Sequence, residues 1–223
     1  MTRYSRFLVL TVLIIFMGAV SAQAGLMGYY YNLDTSHPDV ETDITGLKTG
    51  MVESSLTGPT PTLTAYGATL VNQFDWWDNS YSAFSRVDSD EDLKNNFASS
   101  WFPVNEGLPG DPLHFAVHWT GQFYVAADQN YNYTMGSDDD SWLFIDDQLV
   151  LDLGGIHAVT YTNYSLFLTE GWHDIDIFFA ERHTSQSGFQ LNFFSDLVPQ
   201  APEPSTLLLV GLGLLGLMGL RRK

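Results

Sequence analysis

The second half of the chain is written in a period of two. Leu113, Phe115, Val117 and Trp119 alternate with His114, Ala116, His118 and Thr120; Phe123 and Val125 continue the series, and Tyr131, Tyr133 and Met135 resume it beyond Asp128-Gln129-Asn130. Successive side chains of a strand point to opposite faces, so the pattern predicts strands with one apolar face. The run from Trp142 to Ile145 turns at Asp146-Asp147-Gln148 and returns as Leu149, Leu151 and Leu153 alternating with Val150 and Asp152, which predicts a β-hairpin. Further on, Tyr164, Leu166 and Leu168 alternate up to a turn at Glu170-Gly171; Ile175, Ile177 and Phe179 oppose Asp174, Asp176 and Phe178; Phe189, Leu191 and Phe193 close the series. Short strands at this spacing, with almost no helical periodicity, predict an all-β fold, an antiparallel sandwich or flattened barrel.

Before Leu113 the pattern is looser. Residues 25–31 are aromatic-rich with alternate apolar positions and predict an opening strand. Residues 34–64 are rich in Asp, Thr, Gly and Pro, including Gly58-Pro59-Thr60-Pro61, and predict loop with at most short edge strands. Phe74 to Trp77 and Tyr81 to Phe84 are aromatic islands, and residues 88–96 are polar. No internal repeat is visible.

The two ends are apolar for other reasons. Arg3 and Arg6 precede an apolar run over 7–20, and Ala22-Gln23-Ala24 is a small-x-small cleavage site, so residues 1–24 are expected to be a signal peptide. At the other end Pro202-Glu203-Pro204 leads through Thr206 into an apolar and glycine stretch from Leu207 to Leu220, followed by Arg221-Arg222-Lys223. About fifteen residues fall short of the roughly 20 of a stable spanning helix, and the basic cluster would hold this tail on the cytoplasmic side of a membrane. A plain short apolar anchor helix is one reading. Residues 25–198 are left as one domain and 199–223 as the tail, and a chain that is 45% hydrophobic and 14% aromatic can give that domain one good core.

Charge narrows the partners. The formal net charge is −17, and 25 of the 26 acids lie between Gly25 and Ala201, where the only bases are Lys48, Arg86, Lys94 and Arg182. Such a surface repels nucleic acid and anionic lipid and leaves neutral glycans and divalent cations as partners. There is no cysteine, so disulfides, thiolate catalysis and zinc-thiolate sites are excluded.

The densest chemistry is Asp138, Asp139 and Asp140, three consecutive carboxylates between predicted strands. Like charges this close repel unless a cation sits among them. Oxygen ligands on a loop that opens a rigid hairpin suit a hard cation such as calcium, which takes about 6 to 8 oxygens and so needs more ligands from another loop. A solvated acidic turn is the alternative for an isolated triplet. Asp88-Ser89-Asp90-Glu91-Asp92 mimics the start of an EF-hand loop, but Leu93 replaces the required Gly and Ser99 the final Glu, so a solvated loop is expected there.

The triplet belongs to Ser137-Asp138-Asp139-Asp140-Ser141-Trp142; Asp152-Leu153-Gly154-Gly155-Ile156-His157 and Phe178-Phe179-Ala180-Glu181-Arg182-His183-Thr184 follow it. These segments resemble PA14-type β-sandwich domains, most closely their fibro-slime variant, with Ser36-His37-Pro38-Asp39 and Phe74-Asp75-Trp76-Trp77 as fainter anchors earlier in the chain. The resemblance implies a PA14-like antiparallel sandwich in which a pair of loop aspartates holds calcium, at times through a cis peptide, and sugar hydroxyls bind the ion directly. Counting back from Ile145, that pair corresponds to Asp138 and Asp139, with Asp140 where many relatives have Gly; the assignment is open by one residue. The tail resembles the PEP-CTERM sorting tail of Gram-negative bacteria. It implies transient membrane insertion of residues 207–220, recognition and removal by an exosortase, and delivery to the cell surface or extracellular matrix.

Sugar-binding relatives complete their site with a loop near residues 181–188, so Arg182, His183, Ser185, Gln186 and Ser187 are candidate carbohydrate contacts; a structural Glu181–Arg182 ion pair that pins the loop is the alternative. Asp152, His157 and Glu181 are expected to support the site. The two glycines before His157 permit a bend or a close backbone approach, and His157 is expected to make a structural hydrogen bond, since calcium prefers oxygen to imidazole. Of six tryptophans, Trp76 and Trp77 lie in a loop-like stretch and are expected at the surface. No Ser-His-Asp order, phosphate loop or His-rich metal motif appears, so an enzyme is not expected. Two readings remain: a secreted, calcium-dependent glycan binder or adhesin of an exopolysaccharide or biofilm matrix, and a non-catalytic matrix protein whose calcium only stabilises the fold.

Overall fold

In the computed structural model the described residues are 26–42, 46–78, 83–87 and 113–192. Among them are nine strands: β1 Leu26–Asn32, β2 Ala83–Val87, β3 Phe115–Val125, β4 Gln129–Asp138, β5 Asp140–Ile145, β6 Gln148–Leu153, β7 Thr160–Leu168, β8 Gly171–Glu181 and β9 Gly188–Leu191. They form a six-stranded sheet in the order β2-β1-β3-β8-β5-β6 and a three-stranded sheet in the order β7-β4-β9. Every pairing between them is antiparallel. The sandwich is therefore the expected one, and among the described residues no strand pairing closes it into a barrel. The signal peptide, the EF-hand-like segment, Trp101, Phe193 and the tail helix expected from the sequence all lie outside the described residues. Among those described, no helix is long and apolar enough to cross a membrane.

The period-two positions account for the main core. Phe115, Val117 and Trp119 of β3, Leu143 and Ile145 of β5, and Ile175, Ile177 and Phe179 of β8 meet Tyr133 and Met135 of β4 and Phe189 and Leu191 of β9 between the sheets. The opposite face of the large sheet is apolar as well. Ala116, Trp142, Phe144, Phe178 and Ala180 pack under Leu33, Val40, Met51, Val52, Leu56, Val71, Trp76 and Trp77. The described residues of 33–77 thus behave mainly as loop, with a 3-10 turn at Gly67–Thr69 and the bridges Val52↔Leu63 and Ser55↔Gln148, yet they pack on that face as a second core.

This corrects the expectation for Trp76 and Trp77. They are 0% and 5% exposed and pack on Phe74, Trp142 and Phe178, so neither is a surface platform. Their indole N–H groups are satisfied inside, by Asp39 and by the Val117 carbonyl. The strand β2 was also not expected: the sequence there reads only as an aromatic island followed by polar residues.

The β5–β6 hairpin forms as predicted, with a turn of two residues, since Ile145 already pairs with Gln148. Asp146 and Asp147 both have positive φ, 49° and 63°, the backbone that a type I′ turn demands. At its other end β5 meets the acidic triplet. Asp138 is the last residue of β4 in the small sheet and Asp140 the first of β5 in the large one, so Asp139 sits where the chain changes sheets.

Candidate metal centre

Asp138, Asp139 and Glu181 each place a carboxylate oxygen within 4.8 Å of the other two, and all three residues are buried. Asp138 and Asp139 come from the sheet crossover, where the peptide bond between them is cis; Glu181 is the last residue of β8. Glu181 reaches the cluster because it continues the inward row Ile175, Ile177, Phe179, and its register partner Phe115 belongs to the main core. Two oxygens bound to one calcium at 2.3 to 2.6 Å lie at most about 5 Å apart, a limit the cluster meets.

The remaining valences fit a cation. Asp139 accepts the His157 N–H on Oδ1 at 2.9 Å and the Arg182 N–H on Oδ2 at 3.1 Å, which fixes its plane and leaves lone pairs on both oxygens. Glu181 accepts the His183 N–H on Oε1 at 3.0 Å, whereas its Oε2 is buried and has no hydrogen-bond partner among the described residues. Burial pushes the Asp139 carboxyl up to about 8, with the charge of Asp140 adding to the effect. Burial likewise raises Asp138, and raises Glu181 well above its ordinary value with Asp139 as the next cause. Three carboxyls that resist ionisation side by side, one with an orphaned oxygen, form the donor set a calcium ion would satisfy. These chain residues would hold it; the ion would supply open positions for water or hydroxyl oxygens.

Asp140 is not part of this set, which corrects the expectation that all three aspartates are metal candidates. Its Oδ2 lies 2.8 Å from both Nε and Nη2 of Arg182, and its Oδ1 accepts the Gly155 N–H. The pair is completely buried. Arg182 also donates from Nη1 to the Asp39 carbonyl at 3.1 Å and lies 4.4 Å over the Trp76 ring. Asp39 in turn accepts the Trp76 indole N–H and the main-chain N–H groups of Asn72 and Gln73, and His37 Nε2 lies 2.9 Å from Asp75. The two early anchors of the resemblance therefore meet beneath Arg182. Arg182 is thus a buried strut between layers, not a carbohydrate contact, and its ion-pair partner is Asp140, not Glu181.

The glycine pair behaves as expected. A Cβ at Gly154 would stand 2.9 Å from Trp142 and from the Lys48 carbonyl, and Gly155 has φ +104°. Their close approach lets Gly155 bond Asp140 and places His157 to bond Asp139. His157 itself is structural: Nδ1 and Nε2 lie 3.0 and 3.1 Å from the carbonyls of Ala158 and Leu153. Asp152 supports the same bend through Trp142 Nε1 and the N–H groups of Gly50 and Gly154.

Above the carboxylates lies a cavity of about 210 Å³, lined by Asp138, Asp139, His157, Ala158, His183, Ser185 and Gln186 together with Gly46 and Ile156. The structure brings His183, Ser185 and Gln186 to the acidic loop, as the sequence suggested. Ser187 does not line it and is 2% exposed, so it leaves the set of candidate contacts. Glu41 had no role in the sequence reading. Its carboxylate accepts the Thr184 N–H at 2.8 Å and faces His114 at 3.1 Å and His183 at 3.3 Å, bracing the loop from below. It lies in the loop-like region whose composition carries no positional signal.

A family model described as PA14 domain matches residues 22–199, and one described as PEP-CTERM protein-sorting motif matches residues 200–223. Protein psiG of Dictyostelium discoideum is 24% identical over 234 aligned residues, covering 82% of this chain and 33% of psiG. The chain thus spans about a third of that relative's length. Among solved structures it is similar to the PA14 domain of the MpAFP antifreeze protein, with TM-score 0.46 and 14% identity over 81% of this chain and 85% of that one. It is also similar to a PA14 sugar-binding domain from an RTX adhesin, with TM-score 0.45 and 15% identity over 76% and 88%. On the family match, which takes in all of its described strands, the chain belongs to the PA14 domain family and carries a PEP-CTERM protein-sorting motif after that domain.

Proposed function

We propose that the domain binds an extracellular glycan through a calcium ion held by Asp138, Asp139 and Glu181, with His183, Ser185 and Gln186 reading the hydroxyls that the ion does not take. One observation carries this reading: two of the three clustered carboxylates, Asp138 and Asp139, line a cavity whose far wall is made of uncharged or weakly basic polar side chains. Vicinal hydroxyls replace coordinated waters at similar distances, so an ion with protein on one side offers a sugar two oxygen positions at little cost. Sites that hydrogen-bond a hydroxyl reject ligands that lack it, which assigns selectivity to the loop. The similar PA14 domain of an RTX adhesin is described as sugar-binding. The PEP-CTERM motif indicates export and surface sorting, and the proposed setting is the surface or exopolysaccharide matrix of a Gram-negative bacterium after exosortase processing.

A second reading has its own support. Asp138, Asp139 and Glu181 are only 7%, 1% and 0% exposed, so an ion among them would be deeply seated and could serve the fold alone. Calorimetric titration of neutral and acidic polysaccharides into calcium-loaded protein, repeated after chelation, separates the two. Heat of binding that vanishes with EGTA supports the glycan site. A calcium-dependent rise in melting temperature with no glycan bound at this cavity leaves the structural reading.

A further inference from the structure

The outward face of the small sheet holds a larger cavity that the acidic cluster does not explain. Tyr133 and Met135 of β4 point into the main core, so Asn132 and Thr134 face outward. Directly opposed residues of an antiparallel ladder share a face, which puts Ser165 and Asn163 of β7 beside them. A groove of about 450 Å³ runs there, lined by these four residues with Tyr133, Tyr164 and Asn192. Thr134 donates to the Asn163 side-chain oxygen and orients that amide, and the Asn192 N–H donates to the Thr134 carbonyl at 3.0 Å, so the groove floor is tied across the strands. On the same face of β7, Tyr161 opposes Gly136 and Phe167 opposes Asn130, and these aromatic residues are 51% and 57% exposed.

Among the described residues, no carboxylate, lysine or arginine lines this groove, although the chain carries 26 acids and a formal charge of −17. Asn side chains offer a donor and an acceptor side by side, the pair that vicinal hydroxyls require. Exposed aromatic rings at both ends of the row bury the apolar C–H faces of sugar rings. A polyanion would be repelled by the surrounding acidic surface, whereas a neutral chain pays no such penalty. From the groove, its uncharged lining and its flanking aromatics, we infer that the outer face of β4, β7 and β9 is a second, calcium-independent site for a neutral polysaccharide. A glycan strand held there and at the metal centre would gain avidity from the two contacts.

The test is affinity electrophoresis of the full-length protein, with EGTA in excess, in gels containing neutral β-glucan, neutral β-mannan or, as the acidic probe, alginate. At least one neutral polymer should retard the wild type and alginate should not. Asn132→Ala with Asn163→Ala should weaken that retardation about tenfold, the loss of one or two net hydrogen bonds. Phe167→Ala, which leaves the amides intact, should weaken it separately, and both variants should keep the wild-type melting temperature. Asp139→Asn, which disables the proposed calcium site, should leave retardation in EGTA unchanged, so the two sites fail independently. No retardation by either neutral polymer, retardation by alginate as well, or normally melting groove variants that bind as tightly as wild type would overturn the assignment. So would sedimentation showing that the variants alter only self-association, which would make the face a contact between copies.

Discussion

At the scale of single residues, Asp139 is the pivot, because it alone of the triplet is held by main-chain N–H groups from two other segments while facing two further carboxyls. Its folded-state value, about 8, lies above that of an exposed carboxylate, so in the ion-free protein its protonated form favours the fold. That contribution is complete below about pH 4 and is lost progressively as pH rises through about 8. Ion-free protein is therefore expected to melt at lower temperature at pH 8 than at pH 5, and the increment from calcium to grow over the same interval, as thermal scans with and without chelator would show. At a hundredfold excess over Kd that increment is about 2.7 kcal/mol. Asp139→Asn should remove most of it, whereas Asp147→Asn, an exposed turn position that tolerates asparagine, should not. Arg182 tests the layer beneath. Arg182→Met leaves Asp140 buried without its cation and should cost about 3 to 5 kcal/mol in urea denaturation, calcium present or not.

At the scale of elements, parity along β8 decides which of two adjacent residues serves the site. Ile175, Ile177 and Phe179 face the small sheet, so Glu181 enters the metal cluster while Arg182, beyond the strand's end, goes to the opposite side with Phe178 and Ala180. That parity was legible in the sequence. The polar run from Glu181 to Gly188 nonetheless reads as one loop, whereas β8 extends to Glu181 before the loop begins. The β5–β6 hairpin was legible for the opposite reason, since the apolar run Trp142 to Ile145 and the alternating Leu149, Leu151 and Leu153 flank turn residues at Asp146-Asp147. Its Asp146-Asp147 turn places two non-glycine residues at positive φ, and Asp146 also bonds His173 at 2.6 Å. Asp147→Gly should therefore raise stability by about 0.5 to 1 kcal/mol, measured as a shift in the denaturation midpoint at unchanged m-value.

At the scale of the molecule, the function depends on two layers that the sequence signals unequally. Strands that bury one face announce themselves by period two, so the sandwich and the position of the acidic loop could be read directly. The covering segment has no period, and its Gly-Pro-rich composition says only that it is not regular. Trp76, Trp77, Asp39 and Glu41 gain their roles from long-range packing onto the outer face of the large sheet and from bonds to Arg182 and Thr184, which local pattern does not encode. This cover braces the loop that forms the rim of the cavity, and the sheet crossover at Asp139 forms its floor. The central claim is that one ion is shared between these carboxylates and a glycan. Terbium in place of calcium reports it most directly, because its luminescence decay in H₂O and D₂O counts the waters on the ion. Saturation with a bound glycan should remove about two of them, and Asp139→Asn should abolish the terbium signal. A glycan that binds while the water count stays constant would contradict the account.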